Sequence, residues 1–378
     1  MISLTDREIL NGPGSPHMNE DQVEAAEVEL VARGIATAVA PEDGITAVQA
    51  QLLEAIATAL TGVEVDYTSL EPLSAEALAA VLADRPQWYR QRIVHHMVLG
   101  ELVLGRIPHE VAWRVQTYAS ALGVDDKFVR VARRFAQGAH GLAWMDLQRS
   151  GFVEHVRDAA TDQPTIMGSS PFEPAQVDPE LEQRWRAFAD LPESTLGRGV
   201  WELYDGRGFA LPGSPGGAPV YLAQHDFVHV LADYGTNLKG ELEVFAFIGR
   251  ADPDPKGFAW LATLVGLFET GYVKNTGFFE RNWREHNIQA PGMQYRIADA
   301  IRRGKVVSES CGMDLFTLDY HALAATPIED VRSKLHFPEK SVAAREGGSA
   351  GAFDLEGMSE IQRRAWEQRH AGEQGDAS

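Results

Sequence analysis

Two histidines and two carboxylates lie within one short stretch of this chain. His225, Asp226 and His229 fall within five positions, and Glu241 follows His229 after eleven residues. His225 and His229 are one helical turn apart, so both rings project from the same face of a helix. Gly235 indicates a turn, and Glu241 is as far after Gly235 as His229 is before it. An antiparallel return of the chain therefore places Glu241 beside His229, and the spacing predicts a metal site on a helical hairpin.

The residue types indicate which ion such a site would bind. Two imidazoles with one or two carboxylates suit zinc first, with magnesium, manganese and ferrous iron as alternatives. Sites with mixed nitrogen and oxygen ligands normally leave a position open for water or substrate. In the alternative interpretation, Asp226 and Glu241 only form hydrogen bonds to the two rings. Glu243 lies about 200° round the helix from Glu241, so we expect it to face away from the ion.

The same residues resemble the motif of a known protein family. His-Asp-x-x-His at 225–229, followed after eleven residues by Glu, is similar to the metal motif of the ubiquinone (coenzyme Q) biosynthesis protein four family. The flanking segments agree with this resemblance: LPESTLG at 191–197, GEL at 240–242 and PIEDVR at 327–332. The resemblance covers about residues 180–338, close to half of the chain.

The resemblance implies an all-helical domain that handles a prenylated aromatic quinone precursor. Its metal ligands would be His225, Asp226, His229 and Glu241. The implied role is oxidative decarboxylation at ring position C1, or organisation of the quinone-biosynthesis complex, with other proteins of that complex as partners. Residues 205–218, which are rich in Gly and Pro, depart from the family pattern before the motif and leave the route of substrate entry open.

Two further functions stay open from the sequence. The first is a non-enzymatic carrier or scaffold for an isoprenoid lipid, in which the metal stabilises the hairpin. The second is a metal-dependent hydrolase, because HDxxH differs from the HExxH motif of zinc proteases by one methylene group in its acidic residue. The sequence therefore does not decide whether the protein is an enzyme. As an enzyme, it would catalyse a metal-dependent decarboxylase or lyase step on a prenylated hydroxybenzoate.

The first part of the chain has an Ala-rich helical pattern. Apolar residues recur at three- and four-residue steps in four segments, 48–60, 75–82, 91–104 and 111–122. The units 44–63 and 106–124 form a faint duplication, in which each unit begins at a turn and closes on a glycine at a helix C-terminus. This part resembles the tellurite-resistance TerB-like helical domains over about residues 28–137.

We therefore predict an all-α protein with two helical domains, the second of which contains the metal-binding hairpin. The predicted boundaries are a mobile N-terminus at 1–20, a TerB-like domain at 21–152, a linker at 153–178, a coenzyme Q biosynthesis protein four-like domain at 179–338 and a mostly disordered tail at 339–378. The tail is predicted to be disordered because Gly, Ser, Ala and charged residues dominate it.

One segment of the second predicted domain is apolar on all sides. It covers about residues 257–273, and a helix of this kind is buried in a core or along an apolar tunnel. The resemblance to a family that handles prenylated molecules favours the tunnel, and core packing is the alternative. The residues that would contact an isoprenoid tail are Phe258, Leu261, Leu264 and Phe268.

Composition and charge exclude several classes of function. The formal net charge of −20, from 54 acidic and 34 basic side chains, argues against nucleic-acid binding. The single Cys311 excludes an intramolecular disulfide, and we expect it to be a buried small residue. No run of about 20 apolar residues predicts a membrane span. We expect a cytoplasmic protein, while transient peripheral contact with the inner face of the membrane and a homo-oligomeric state stay open.

Overall fold

The computed structural model describes residues 25–124, 177–218, 220–254, 257, 261 and 287–371. These residues form helices joined by turns and contain no strand, which confirms the all-α prediction. The helices of the first half are α1 (Ala25–Val39), α2 (Ala47–Thr61), α3 (Ala75–Val81), α4 (Gln87–Leu102) and α5 (His109–Ala121). The helices of the second half are α6 (Pro179–Arg186), α7 (Leu196–Arg207), α8 (Val220–Ala232), α9 (Leu238–Ala251), α10 (Met293–Cys311), α11 (Tyr320–Leu323), α12 (Ile328–Lys334), α13 (Val342–Glu346) and α14 (Glu360–His370).

Helix α2 shows why helices of the first half begin and end where they do. Thr46 forms a capping box with Gln49 at the N-terminus, and Gly62, with a left-handed φ of 73°, ends the helix. The side chain of Gln49 is buried, and its Nε2 donates to the carbonyls of Val39 at 2.9 Å and Gly100 at 2.8 Å. These bonds join α2 to α1 and α4. All four helices predicted for this half are present.

Helices α8 and α9 form the predicted hairpin. The turn begins at Asp233, whose φ of 60° is left-handed. Helix α9 starts after Asn237, whose side chain accepts a hydrogen bond from the amide of Gly240 at 2.9 Å. The backbones approach closely here, because a Cβ on Gly240 would lie 1.9 Å from the carbonyl oxygen of Gly235. A glycine at position 240 therefore permits the turn.

Replacing Gly240 with alanine is expected to destabilise the fold by about 3 kcal/mol or more, because the added methyl group would overlap the carbonyl of Gly235. The free energy of unfolding in urea measures this effect. Gly206→Ala is a matched control in α7. A Cβ at position 206 would meet only Trp366, at 3.5 Å, and alanine favours a helix over glycine by about 1 kcal/mol. Equal stability of the two variants would contradict the close turn.

Helix α10 joins the two halves of the molecule. It packs against α9 and against α2, and Lys305 of α10 donates to the carbonyl of Leu60 at 3.4 Å. Apolar residues from both halves form one continuous core. The division into two domains with a linker at 153–178 stays a prediction, because residues 125–176 lie outside the described part of the chain. The predicted mobile N-terminus at 1–20 also lies outside it.

The prediction of a mostly disordered tail at 339–378 is wrong for residues 339–371. Helices α13 and α14 lie in this segment, and Ala352 is completely buried. The glycines of this segment suggested disorder, but in the structure they allow close contact between backbones. A Cβ on Gly235 would lie 2.4 Å from the Cα of Gly357, so the two backbones touch at a distance that only glycine allows.

The residues predicted to contact an isoprenoid tail are described only in part. Leu261 is completely buried. Phe258, Leu264 and Phe268 lie outside the described residues, so the tunnel stays a prediction. Within the part of the chain that the structure describes, no helix combines the length and the apolar character needed to cross a membrane.

The single cysteine lies at the end of α10. The Sγ of Cys311 donates to the carbonyl of Leu335, which follows α12, at 3.0 Å. Burial raises the pKa of the Cys311 thiol to about 11. The thiol is therefore protonated at neutral pH and joins the ends of two helices rather than acting as a nucleophile.

Candidate metal centre

The hairpin brings His225, His229 and Glu241 together. Nε2 of His225 lies 3.5 Å from Oε2 of Glu241, and Nε2 of His229 lies 3.3 Å from Oε1 of the same carboxylate. One ligand atom from each of the three residues lies within 4.8 Å of the other two, so the group could hold a metal ion. The side chains of His225 and Glu241 are each 12% exposed, and that of His229 is 0% exposed. Three ligand-type side chains from two helices therefore converge in a nearly buried position.

Backbone carbonyls orient both imidazole rings. Nδ1 of His229 lies 3.1 Å from the carbonyl oxygen of Tyr234, and Nδ1 of His225 contacts the carbonyl oxygen of Leu222. Because a carbonyl oxygen only accepts, Nδ1 carries a hydrogen in each ring. In a neutral ring, Nε2 then presents its lone pair toward Glu241. This arrangement is typical of histidines that bind a metal through Nε2.

The acceptor atoms of the group favour a cation or a hydrogen-bond donor at its centre. Two nitrogen lone pairs and one carboxylate face one another, and all three are hydrogen-bond acceptors. Nε2 of His229 is completely buried and forms no hydrogen bond within the described structure. Buried acceptors rarely lack a donor, so a metal cation, a proton or a water molecule that donates a hydrogen bond would satisfy these atoms. The residues present therefore fit a divalent ion such as zinc.

In the ion-free protein, a proton takes this position. Burial lowers the pKa of His225, but the charges of Asp226 and Glu241 outweigh it and raise this pKa to about 9. Burial also acts to raise the pKa of Glu241, but the rings of His229 and His225 lower it to about 2. At neutral pH, the His225 ring is therefore protonated and the Glu241 carboxylate is ionised.

Metal affinity is therefore expected to rise with pH up to about pH 9. The ion binds the unprotonated ring, so it must displace a proton from His225, whose pKa is about 9. Glu241, with a pKa of about 2, is already ionised and releases no second proton. We expect the apparent affinity to increase about tenfold per pH unit below this value. Competition with a chromophoric chelator of known pH dependence measures it. A pH-independent affinity would show that His225 is not a ligand.

Asp226 lies at the edge of the three-residue group. Its Oδ1 is 3.5 Å from Nε2 of His225, and its Oδ2 accepts a hydrogen bond from the hydroxyl of Tyr204 at 2.5 Å. Burial and the charge of Asp226 raise the pKa of Tyr204 well above its usual range, so this hydroxyl keeps its hydrogen. Asp226 is thus a carboxylate held beside the His225 ring by Tyr204, and its role as a fourth ligand stays a prediction.

A buried arginine supplies positive charge close to the carboxylates. Nε of Arg207 donates to Oγ1 of Thr236 at 2.5 Å, in the turn of the hairpin. Burial lowers the pKa of Arg207 to about 10, although the charges of Asp226 and Glu241 act to raise it. Arg207 is therefore charged at neutral pH and offsets the two carboxylates. The sequence interpretation missed Arg207 and Tyr204, and the signal that could have found them is their three-residue spacing on α7.

The clamp segment, residues 350–362, holds the turn of the hairpin from outside. The amides of Thr236 and Asn237 donate to the carbonyl of Gly357 at 2.7 and 2.9 Å. Nε2 of Gln362 donates to the carbonyl of Thr236 at 3.0 Å. The clamp segment therefore supplies hydrogen-bond partners to backbone groups in the turn that joins the helices of His229 and Glu241.

Glu243 faces away from the metal centre, as its position on the helix predicts. Its side chain is completely buried, and its Oε2 lies 2.5 Å from Nη2 of Arg296 on α10. Helix α9 thus presents Glu241 to the metal centre and Glu243 to an ion pair with the neighbouring helix. The helical spacing predicted that Glu241 and Glu243 point in different directions, and the structure shows this difference.

Comparison of the chain with protein-family models, with curated proteins and with solved structures found no match. The resemblance to the coenzyme Q biosynthesis protein four family therefore depends on the metal motif and its flanking segments. The resemblance of the first half to TerB-like domains depends on its helical pattern in the same way.

Proposed function

We propose that this protein binds a divalent metal ion, zinc first, through His225, His229 and Glu241, and acts through it on a prenylated aromatic quinone precursor. The observation that carries the proposal is the convergence of three acceptor groups on one nearly buried point. The resemblance of the motif to that of the coenzyme Q biosynthesis protein four family supports the substrate class. Oxidative decarboxylation at ring position C1 is the reaction that follows from the same resemblance. In it, CO₂ would leave the ring, a hydroxyl group would replace it, and dioxygen would be the two-electron oxidant.

The proposed chemistry divides between the ion and the residues around it. A divalent ion held by His225, His229 and Glu241 would supply a Lewis acid for a carboxylate or phenolate oxygen of the substrate. Tyr204 keeps Asp226 beside the His225 ring through a 2.5 Å hydrogen bond. Arg207 carries one positive charge beside the two carboxylates, Asp226 and Glu241, so an ion of charge two would bring the net charge of the site to about +1.

The second candidate is a carrier or scaffold in which the ion stabilises the hairpin. The low exposure of the ligand side chains, between 0% and 12%, favours this function. A catalytic ion needs a position open to substrate, whereas a structural ion does not. The protein would then present an isoprenoid precursor to other quinone-biosynthesis proteins.

Turnover of a prenylated hydroxybenzoate under air, followed by mass spectrometry of the product, tests the catalytic proposal. Metal-loaded protein is expected to convert the substrate, and the double variant with His225→Ala and Glu241→Ala is not. Equal turnover by this variant would remove the catalytic proposal. Co-purification of an isoprenoid, seen by native mass spectrometry, together with no turnover by the metal-loaded protein, would favour the carrier.

A further inference from the structure

Tyr234 forms two hydrogen bonds with His229, one through each of its backbone polar groups. Its amide donates to the carbonyl oxygen of His229 at 3.0 Å, and its own carbonyl oxygen lies 3.1 Å from Nδ1 of the His229 ring. The direction in which Nε2 of this ring points therefore depends on the position of the Tyr234 backbone. Tyr234 lies beyond the end of α8 at Ala232, so contacts outside that helix must hold it.

Two buried cations lie over the aromatic ring of Tyr234. The guanidinium carbon of Arg303 is 5.0 Å from the ring centroid, and Nζ of Lys340 is 5.2 Å from it. All three residues are buried. A contact between a cation and an aromatic ring is stronger where water is excluded, so burial favours both contacts.

The same two cations also bind the residues that precede Tyr234. Nη1 of Arg303 donates to the carbonyl oxygen of Ala232 at 2.9 Å, and Nζ of Lys340 lies 3.6 Å from Oδ2 of Asp233. Arg303 belongs to α10, and Lys340 follows α12. Two distant parts of the chain therefore meet on three consecutive residues, the last of which orients His229.

The ring of Tyr234 makes these contacts without a hydrogen bond from its hydroxyl. The hydroxyl is buried and Arg303 lies near it, yet it forms no hydrogen bond within the described structure. A buried hydroxyl without a partner adds no stability. We therefore expect phenylalanine to replace Tyr234 without loss, whereas an aliphatic side chain would lose both contacts with the cations.

We propose that Tyr234, Arg303 and Lys340 are positioning residues of the metal centre. The two cations hold the ring of Tyr234, and the carbonyl of Tyr234 then aims Nε2 of His229 at the ion. None of the three contributes a ligand atom, so each acts through His229. This inference rests on the proposed metal function. Loss of a group that orients a metal-bound histidine typically lowers metal affinity about 10- to 100-fold.

The zinc affinity of the full-length protein, measured by competition with a chromophoric chelator, tests the proposal. Tyr234→Leu is expected to lower the affinity about 10- to 100-fold, and Tyr234→Phe is expected to retain it within about twofold. Tyr320→Leu is the matched control. Tyr320 is also completely buried, and its ring stacks at 4.6 Å on Phe227, which projects away from the two histidines of α8. Unchanged affinity in Tyr234→Leu, or an equal loss in Tyr320→Leu, would overturn the proposal.

NMR of the ion-free protein with labelled histidine gives a second measurement that needs no metal. The Nδ1–H of His229 is expected to exchange slowly with water in the unaltered protein, in Tyr234→Phe and in Tyr320→Leu, and rapidly in Tyr234→Leu. Slow exchange in a folded Tyr234→Leu would contradict the proposal. If the unaltered protein binds no zinc, the proposed function fails, and this resonance still decides whether Tyr234 orients His229.

A further variant covers the case in which Tyr234→Leu does not fold, as judged by circular dichroism. Lys340→Met removes one of the two cations and keeps the length of the side chain. It is expected to lower the zinc affinity and to speed the exchange of the His229 Nδ1–H, because the Tyr234 ring is then held by Arg303 alone. An unchanged affinity together with unchanged exchange in this variant would refute the positioning role.

Discussion

Replacement of His229 by alanine is expected to lower the affinity for the metal by about two to three orders of magnitude. The free energy of zinc binding at structural sites with four ligands is about 10–16 kcal/mol, so each ligand contributes about 3 kcal/mol to it. His229 is completely buried and its Nε2 lies 3.3 Å from Glu241, so water does not easily replace it. Competition with a chromophoric chelator measures the affinity, and elemental analysis of purified protein measures the bound ion.

His321 provides the matched control for this variant. Its ring packs beside Trp185 and Phe188, with centroid distances of 5.7 and 5.1 Å, and it has no contact with the three-residue group. His321→Ala is expected to retain the metal at full affinity. Glu241→Gln, which removes charge and keeps size, is expected to behave like His229→Ala. Retention of the ion by both His229→Ala and Glu241→Gln would show that the metal centre is elsewhere.

A chain that ends at Pro338 is expected to lose the ordered hairpin. The truncation removes the carbonyl of Gly357, which accepts from the amides of Thr236 and Asn237. It also removes the carbonyl of Ala352, which accepts from the buried guanidinium of Arg207. Water can reach the groups that the truncation uncovers, so each lost hydrogen bond costs about 0.5–1.5 kcal/mol, and the sum is a large part of the stability of a typical domain.

Thermal unfolding followed by circular dichroism measures this loss, and metal content measures its effect on the site. A chain that ends at Ala371 is the control and is expected to unfold like the full protein. Gln362→Leu is a milder variant. It removes the side-chain amide that donates to the carbonyl of Thr236 at 3.0 Å, and it is expected to lower the free energy of unfolding by about 1–3 kcal/mol. A cooperative transition at an unchanged temperature in the chain ending at Pro338 would refute the role of the clamp segment.

The convergence of His225, His229 and Glu241 could be predicted because it depends on local rules. Helical periodicity places the two histidines on one face, and equal spacing about Gly235 brings Glu241 back beside them. Glu243 confirms the same rule from the other side of α9, since it pairs with Arg296. Short-range geometry of this kind is readable from one sequence.

The groups that support the site could not be predicted in this way. Tyr204 precedes Asp226 by 22 residues, and Arg207 reaches a carbonyl 145 residues further along the chain at Ala352. Such contacts depend on how distant helices pack. The clamp segment was predicted to be disordered because composition does not distinguish glycines that allow flexibility from glycines that allow close backbone contact, such as Gly357.

The lone thiol gives this molecule a built-in chemical reporter. Cys311 is held against Leu335, and its pKa of about 11 makes it slow to react with maleimide dyes while the ends of α10 and α12 stay together. Labelling by the dye is therefore expected to be faster when these ends separate. Its rate measures local opening of the native state at this one contact. The experiment needs no engineered probe, because the chain contains one cysteine.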